Sequence, residues 1–324
     1  LLAPSPGLAE IRALRLVLAR WLVNTPVVRC PALEAVTAAP VHAKLEFLQR
    51  TSTFKPRGAL AVMLELDDRQ RAAGVVAVSA GNHAIATAYA ASELGISAKV
   101  VMPDSSSPAR VERCRHYGAE ILTAADAHQA FALAERIVRE EGRYLVHPFE
   151  GPRTSLGTAT LGMEICEQVG QFDAVIVPIG GGGLCSGIAT AVKLMRPGVQ
   201  VYGVEPVGAD TMHRSFAKGS PQAIDKVNTI ADSLGAPFAL PYSYALCRAH
   251  TDRLVRVSDG ELRNAMRFLF HEVKLAVEAA CAASTAALLG PLLETVRGRP
   301  VVIVMCGSNI DWAMYERHAE LETG

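Results

Sequence analysis

The sequence has no surplus of either charge: 32 Lys and Arg stand against 32 Asp and Glu in 324 residues. Without a basic field, neither nucleic acid nor an acidic membrane surface is an expected partner, and a small molecule is favoured. No apolar run reaches the roughly 18 residues that a membrane helix needs. The leucine-rich start, Leu1 to Ala19, is broken by Glu10, Arg12 and Arg15 and reads as a capping helix. There is no C-x-x-C pair either. The seven cysteines, Cys30, Cys114, Cys166, Cys185, Cys247, Cys281 and Cys306, are odd in number and scattered. That argues against a disulfide frame or a zinc site and fits a reduced, cytoplasmic protein. Short-period repeats and low-complexity tails are absent. The chain opens on Leu1 rather than methionine, which leaves room for residues before it, and no fused regulatory module is expected after residue 324.

What the sequence has in quantity is apolar residues, 50% of the chain, enough for a large core divided between two lobes. From Val75 onward, short β-branched runs alternate with alanine-rich helical runs. Strands are expected at Val75 to Val78, Lys99 to Met102, Glu120 to Leu122 and Tyr144 to Val146, with helices over His83 to Leu94, Pro108 to Tyr117 and Asp126 to Glu141. A second series follows, with strands at Ala174 to Ile179, Val199 to Val204, Leu254 to Val257 and Val301 to Met305. Its helices are expected over Thr154 to Val169, Leu184 to Met195, Glu261 to His271 and Ala279 to Leu293. These strands are apolar throughout rather than alternating, as parallel sheets covered on both faces require. The expected fold is therefore α/β, with two open, twisted, mainly parallel sheets and flanking helices. A small domain spans 74–148, and a discontinuous large one is made of 1–73 plus 149–324. Residues 218 to 239, rich in Pro, Gly and Asp, read as a long loop near the active face.

Ligands in such sheets bind at the carboxyl ends of strands, and three loops there carry suitable chemistry. Ser79-Ala80-Gly81-Asn82-His83 offers small residues, backbone N–H groups and an amide; taken alone it could be a plain turn capped by Asn82. Gly180-Gly181-Gly182-Gly183-Leu184 costs much folding entropy, so its backbone is expected to approach something closely, a phosphate being the physical candidate. A dinucleotide reading, with Glu205 as the ribose acid, fails on spacing, because Cys185 stands where the third glycine of G-x-G-x-x-G belongs. No G-K-[ST] follows the loop. Cys306-Gly307-Ser308-Asn309 closes the last strand; a lone cysteine is usually a small core residue. Ahead of all three comes Thr51-Ser52-Thr53-Phe54-Lys55-Pro56-Arg57-Gly58-Ala59. Pro56 suits a first helical position, so Lys55 lies at the positive end of a helix, which disfavours its ammonium. A lysine that loses its proton readily beside an anion-binding loop suits imine formation with a phosphate-bearing carbonyl cofactor.

Together these runs closely resemble the pyridoxal-phosphate enzymes of the serine/threonine dehydratase family, fold type II. The resemblance extends from about Lys44 to Asp311 and includes Val146-His147-Pro148, Gly203-Val204-Glu205-Pro206 and Thr229-Ile230-Ala231-Asp232. It implies a role for each matching residue. Lys55 resembles the Schiff-base lysine, Phe54 lies beside the cofactor, and Asn82 bonds its 3-oxygen. Gly180, Gly181, Gly182, Gly183 and Leu184 supply donors to the phosphate, and Cys306 faces the pyridine nitrogen. Ser79, Ala80, Gly81, Asn82 and His83 frame the substrate, and a homodimer is implied.

The activity implied is that of an ammonia-lyase turning a 3-hydroxy L-amino acid, such as threonine or serine, into a 2-oxo acid and ammonia. A neutral thiol at the ring nitrogen favours prompt β-elimination over transamination. The alternatives are a serine racemase and, more distantly, a nicotinamide-dependent oxidoreductase. Racemases that resemble this family carry serine where Ala80 stands. The sequence also departs from the family at Gly157-Thr158-Ala159-Thr160, often Gly-Gln-Gly-Thr, and at Val277-Glu278-Ala279, often Val-Glu-Pro. Some members bind a divalent cation; Glu205 and Ala209 match two of its positions, but the third is Thr211, with Asp210 one residue early, so no metal is assigned. Threonine, serine and bulkier 3-hydroxy amino acids differ mainly in the pocket shape they require.

Overall fold

The structure is a computed structural model and describes residues 4–320. Its ten strands are β1 (Val27–Arg29), β2 (Val41–Leu45), β3 (Val75–Val78), β4 (Ala98–Pro103), β5 (Glu120–Ala124), β6 (Tyr144–Leu145), β7 (Ala174–Pro178), β8 (Gln200–Pro206), β9 (Arg253–Val257) and β10 (Val301–Met305). They form a six-stranded sheet in the order β1-β2-β10-β7-β8-β9 and a four-stranded sheet in the order β5-β4-β3-β6. Every pairing is parallel except β1 with β2. All residues of β3, β7 and β10 are buried, because helices cover both faces of each sheet. The larger core gathers the six-stranded sheet with the helices Gly183–Met195 and Ala279–Leu289.

The helix Pro56–Met63, which carries Lys55 at its entry, is bolted to the large sheet by a buried charge cluster. Arg57 on that helix meets Glu164 of the helix Pro152–Gln168 at 2.8 and 2.9 Å, and it also pairs with Glu46. Lys44 of β2 donates to the same Glu164 at 2.7 Å, and Thr25 donates to Glu46 at 2.7 Å. Two cations face two carboxylates, so no net charge is buried, and the bidentate geometry fixes the helix in register.

Several elements differ from the sequence-based expectation. Residues 27–45 contribute two strands to the large sheet, and the irregular stretch after β8 contains the helices Thr211–Lys218 and Pro241–His250. The expected helix from Ala279 stops at Leu289, because Gly290-Pro291 breaks it before a short turn at Leu293–Val296. Asp259–Phe268 ends in a wider π turn, Leu269–Val273, rather than running on as α-helix to His271. The loop expected near the active face is there: Val227, Asp232, Ser233, Pro237 and Phe238 line the cleft between the sheets.

Candidate active site

Lys55 is held from both sides. Phe54 N donates to Cys306 O at 3.1 Å and Thr53 bridges Gly307, which ties the lysine segment to the end of β10. The ammonium donates to Pro148 O at 2.6 Å and lies 5.2 Å from the centre of the Phe54 ring. Burial pushes its pKa down from 10.5 to about 8, against the opposing pull of Cys306 and Glu278. Relative to an ordinary lysine, that raises the neutral fraction at pH 7 by roughly two orders of magnitude.

Phe54, Lys55, Asn82, Gly180, Gly181, Gly182, Gly183, Leu184 and Cys306 line one pocket. Among the described residues, the N–H groups of Gly180, Gly181 and Gly182 donate to no protein acceptor, and they lead directly into the free N–H groups of the helix Gly183–Met195. A row of unspent donors at a helix start is a site for an anion such as a phosphate. The glycines are required by geometry. A Cβ on Gly181 would lie 2.2 Å from the Phe149 ring, and Gly182 has φ +94°, in the left-handed region.

Across the pocket, Asn82 starts the helix Asn82–Leu94 with its amide fully engaged. Its Nδ2 donates to Glu278 Oε1 at 2.7 Å and to Ser233 at 3.2 Å, while its Oδ1 accepts from Asn309 Nδ2 at 2.7 Å. Glu278 is fully enclosed, and burial, with Asp232 adding, raises its pKa to about 7. The Cys306 thiol is held well above its ordinary pKa by a hydrogen bond with Cys281 and by burial, so it stays a neutral thiol. Ser79, Ala80, Gly81, Asn82 and His83 border an adjoining cleft of about 480 Å³ that Lys55 shares. In that turn Gly81 N donates to Ser79 Oγ at 3.1 Å, and Ala80 is exposed.

Several residues that sequence reasoning had not assigned to the site complete it. Arg110 reaches over the cleft to Asp232 at 2.6 Å and to Asn309 O at 3.0 Å. Glu278 matches the middle of the Val-Glu-Pro pattern, whose departure is Ala279, and His147 belongs to a motif; neither has a site role that the sequence alone assigns. Phe131, Phe149 and Phe238 had no sequence signal beyond being aromatic. The cation positions are occupied by protein contacts. The Glu205 carboxylate accepts from Met212 N at 2.7 Å and His213 N at 2.6 Å, while Asp210 is bridged by Arg214 at 2.7 Å and Arg256 at 2.9 Å. Among the described residues, no cluster suits a metal ion, and no helix is long and apolar enough to cross a membrane.

The family profile "Pyridoxal-phosphate dependent enzyme" matches residues 19–307. The chain belongs to the pyridoxal-phosphate dependent enzymes. It is 56% identical to the phenylserine dehydratase of Ralstonia pickettii, over 98% of this chain and 97% of that one. It is also 35% identical to an L-threonine ammonia-lyase of Thermotoga maritima, over 96% of this chain and 77% of that one. Among solved structures, maize serine racemase superposes with a TM-score of 0.92 at 33% identity, covering 97% of each chain. The chain is a fold-type II ammonia-lyase of hydroxy amino acids that uses pyridoxal phosphate. Its pocket suits that cofactor: unspent N–H donors for a phosphate, a lysine of lowered pKa for a carbonyl, and a neutral thiol and an oriented amide between them.

Proposed function

We propose that the preferred substrate is a 3-hydroxy amino acid with an aromatic group on its β-carbon, a phenylserine. One observation carries this reading: the cleft beside Lys55 has an aromatic wall. Phe131, on the helix Ala127–Glu141, is 38% exposed and lines the cleft, so its ring is free to pack on a ligand. Phe149 and Phe238 line the same cleft with ring centres 6.1 Å apart, and Val227 and Pro237 extend the apolar surface. A methyl or hydrogen on the β-carbon would leave these rings uncovered, whereas a phenyl group fills the space and gains aromatic contact. The 56% identical relative is a phenylserine dehydratase, which agrees with this reading.

In this proposal the backbone donors of Gly180 to Leu184 would hold the phosphate, Asn82 would exchange its 3.2 Å contact with Ser233 for the 3-oxygen of the ring, and Phe54 would pack beside it. The cofactor, when bound, supplies electron withdrawal from the substrate's α-carbon. Ser79, Ala80, Gly81, Asn82 and His83 cradle the substrate carboxylate. Lys55, as a neutral amine, takes the α-proton. Cys306, which keeps its own proton, would face the pyridine nitrogen as a neutral partner. The domain division at 73/74 and 148/149, a homodimer and a cytoplasmic location complete the proposal; they are supported by the two separate sheets, by the family resemblance and by the scattered cysteines.

Phe131→Ala tests the aromatic wall. It is expected to lower kcat/KM for L-threo-phenylserine roughly tenfold while leaving that for L-threonine within about twofold. An equal loss for both substrates would remove Phe131 from side-chain recognition.

The same geometry predicts little racemisation. Returning a proton to the opposite face of the α-carbon needs an acid there, and the methyl of Ala80 cannot supply one. Chiral analysis of serine recovered after partial turnover should show almost none of the D-enantiomer, and Ala80→Ser should produce it. Abundant D-serine from the unaltered protein would instead favour a racemase.

A further inference from the structure

We propose that His147 is a further catalytic residue, whose Nε2–H hydrogen-bonds the β-oxygen of the substrate as that oxygen departs. The inference rests on the elimination chemistry above and needs no particular β-substituent.

The proton on His147 is placed by the backbone. Nδ1 accepts the N–H of Glu150 at 3.0 Å and of Phe149 at 3.3 Å, so Nδ1 carries the lone pair and Nε2 the hydrogen. The ring is braced edge-on against Phe149, with centres 4.6 Å apart and planes at 87°. Among the described residues both hydrogen bonds of the His147 ring fall on Nδ1, so Nε2 is left without a protein partner, and His147 lines the cleft that Lys55 shares. The next residue, Pro148, supplies the carbonyl that holds the lysine amine at 2.6 Å, so the free donor sits one residue from the anchor of the group that takes the α-proton.

Most other donors of the cleft are already spent. His83 Nε2 is engaged with Val146 O at 2.8 Å, Asn82 with Glu278 and Ser233, and Arg110 with Asp232 and Asn309 O. The Ser233 hydroxyl donates to Asp232. Ser79 lies within the turn assigned to the carboxylate. What is left on the Lys55 side is the imidazole N–H. Burial, with Lys55 adding, pushes the His147 pKa down to about 4, so the ring stays neutral near pH 7 and keeps its single proton.

The step balances without any added reagent. The Cα–H bond breaks, its proton goes to Lys55 Nζ and its electron pair ends as the second bond between Cα and Cβ. The Cβ–O bond breaks with its electron pair going to oxygen, and the lysine ammonium returns the proton so that water leaves and the amine is restored. His147 gives up no proton; it donates a hydrogen bond that strengthens as negative charge builds on the oxygen.

Two substitutions separate this role from a structural one. His147→Asn keeps an acceptor near the Nδ1 position for the Phe149 and Glu150 N–H groups but removes the Nε2 donor. His147→Gln keeps a donor near Nε2 and loses that acceptor. On the holoenzyme, His147→Asn should lower kcat for hydroxide elimination about 30-fold, and His147→Gln should recover most of the loss. Elimination of chloride from 3-chloroalanine, whose leaving group needs no such donor, should stay within about threefold of the parent in His147→Asn. Affinity for L-phenylalanine, which lacks the β-hydroxyl, should not change when read from the visible spectrum of the bound cofactor. Full hydroxide elimination by His147→Asn would overturn the proposal, as would a parallel loss of chloride elimination or of phenylalanine affinity. Hydroxide elimination is measured on both L-threo-phenylserine and L-threonine. A protein that refused phenylserine would therefore sink the aromatic reading while leaving the His147 comparison intact on threonine.

Discussion

Lys55→Ala should remove the yellow colour of the purified protein and reduce ammonia release by about 10^4-fold or more, because one residue both anchors the cofactor and moves the α-proton. The neighbouring bases cannot take over. Burial, the larger cause and one the substitution leaves in place, holds both His83 and His147 below an ordinary imidazole, so each is a far weaker base than an amine with a pKa of about 8. The measurement is the visible spectrum of the variant together with its rate under saturating substrate and added cofactor. A folded variant that stayed yellow and lost tenfold or less would place proton transfer on another group.

Gly182→Asp should weaken cofactor binding by about two orders of magnitude or more, for two separate reasons. The position has φ +94°, which strains any side chain, and an added Cβ would lie 2.7 Å from Met212 Cε and 3.3 Å from Cys247 Sγ, so those neighbours must give way as well. The carboxylate would also stand beside the phosphate that the loop's N–H groups receive, where like charges repel in a poorly solvated site. Titration of the apoprotein with pyridoxal phosphate reads the loss. Unchanged affinity in a folded variant would take this loop out of the site.

The two parallel sheets and the three strand-end loops were legible because their information is local. Unbroken β-branched runs such as Ala174 to Ile179 declare strands buried on both faces, and four consecutive glycines declare a backbone that must approach a ligand. β2 was not legible for a physical reason. Lys44 puts a charge into Val41–Leu45, and what makes that charge tolerable is Glu164, 120 residues away in the chain. The helices Thr211–Lys218 and Pro241–His250 lie in a stretch where Pro, Gly and Asp suggest only loop. The start of the second one is capped from a distant part of the chain by Glu150, which accepts from Tyr242 N at 2.7 Å and Ser243 N at 3.0 Å. Within the site, motif residues such as Lys55 and Asn82 stood out by spacing. Glu278, His147 and the three phenylalanines act through who faces whom across the cleft, which spacing along the chain does not encode.

The most direct test of the account is a comparison of kcat/KM for L-threo-phenylserine and L-threonine on the unaltered holoenzyme, scored by release of the 2-oxo acid and of ammonia in equal amounts. The aromatic cleft predicts that phenylserine yields phenylpyruvate and ammonia with the higher kcat/KM, by about tenfold or more. Threonine turning over well while phenylserine remained inert would contradict it.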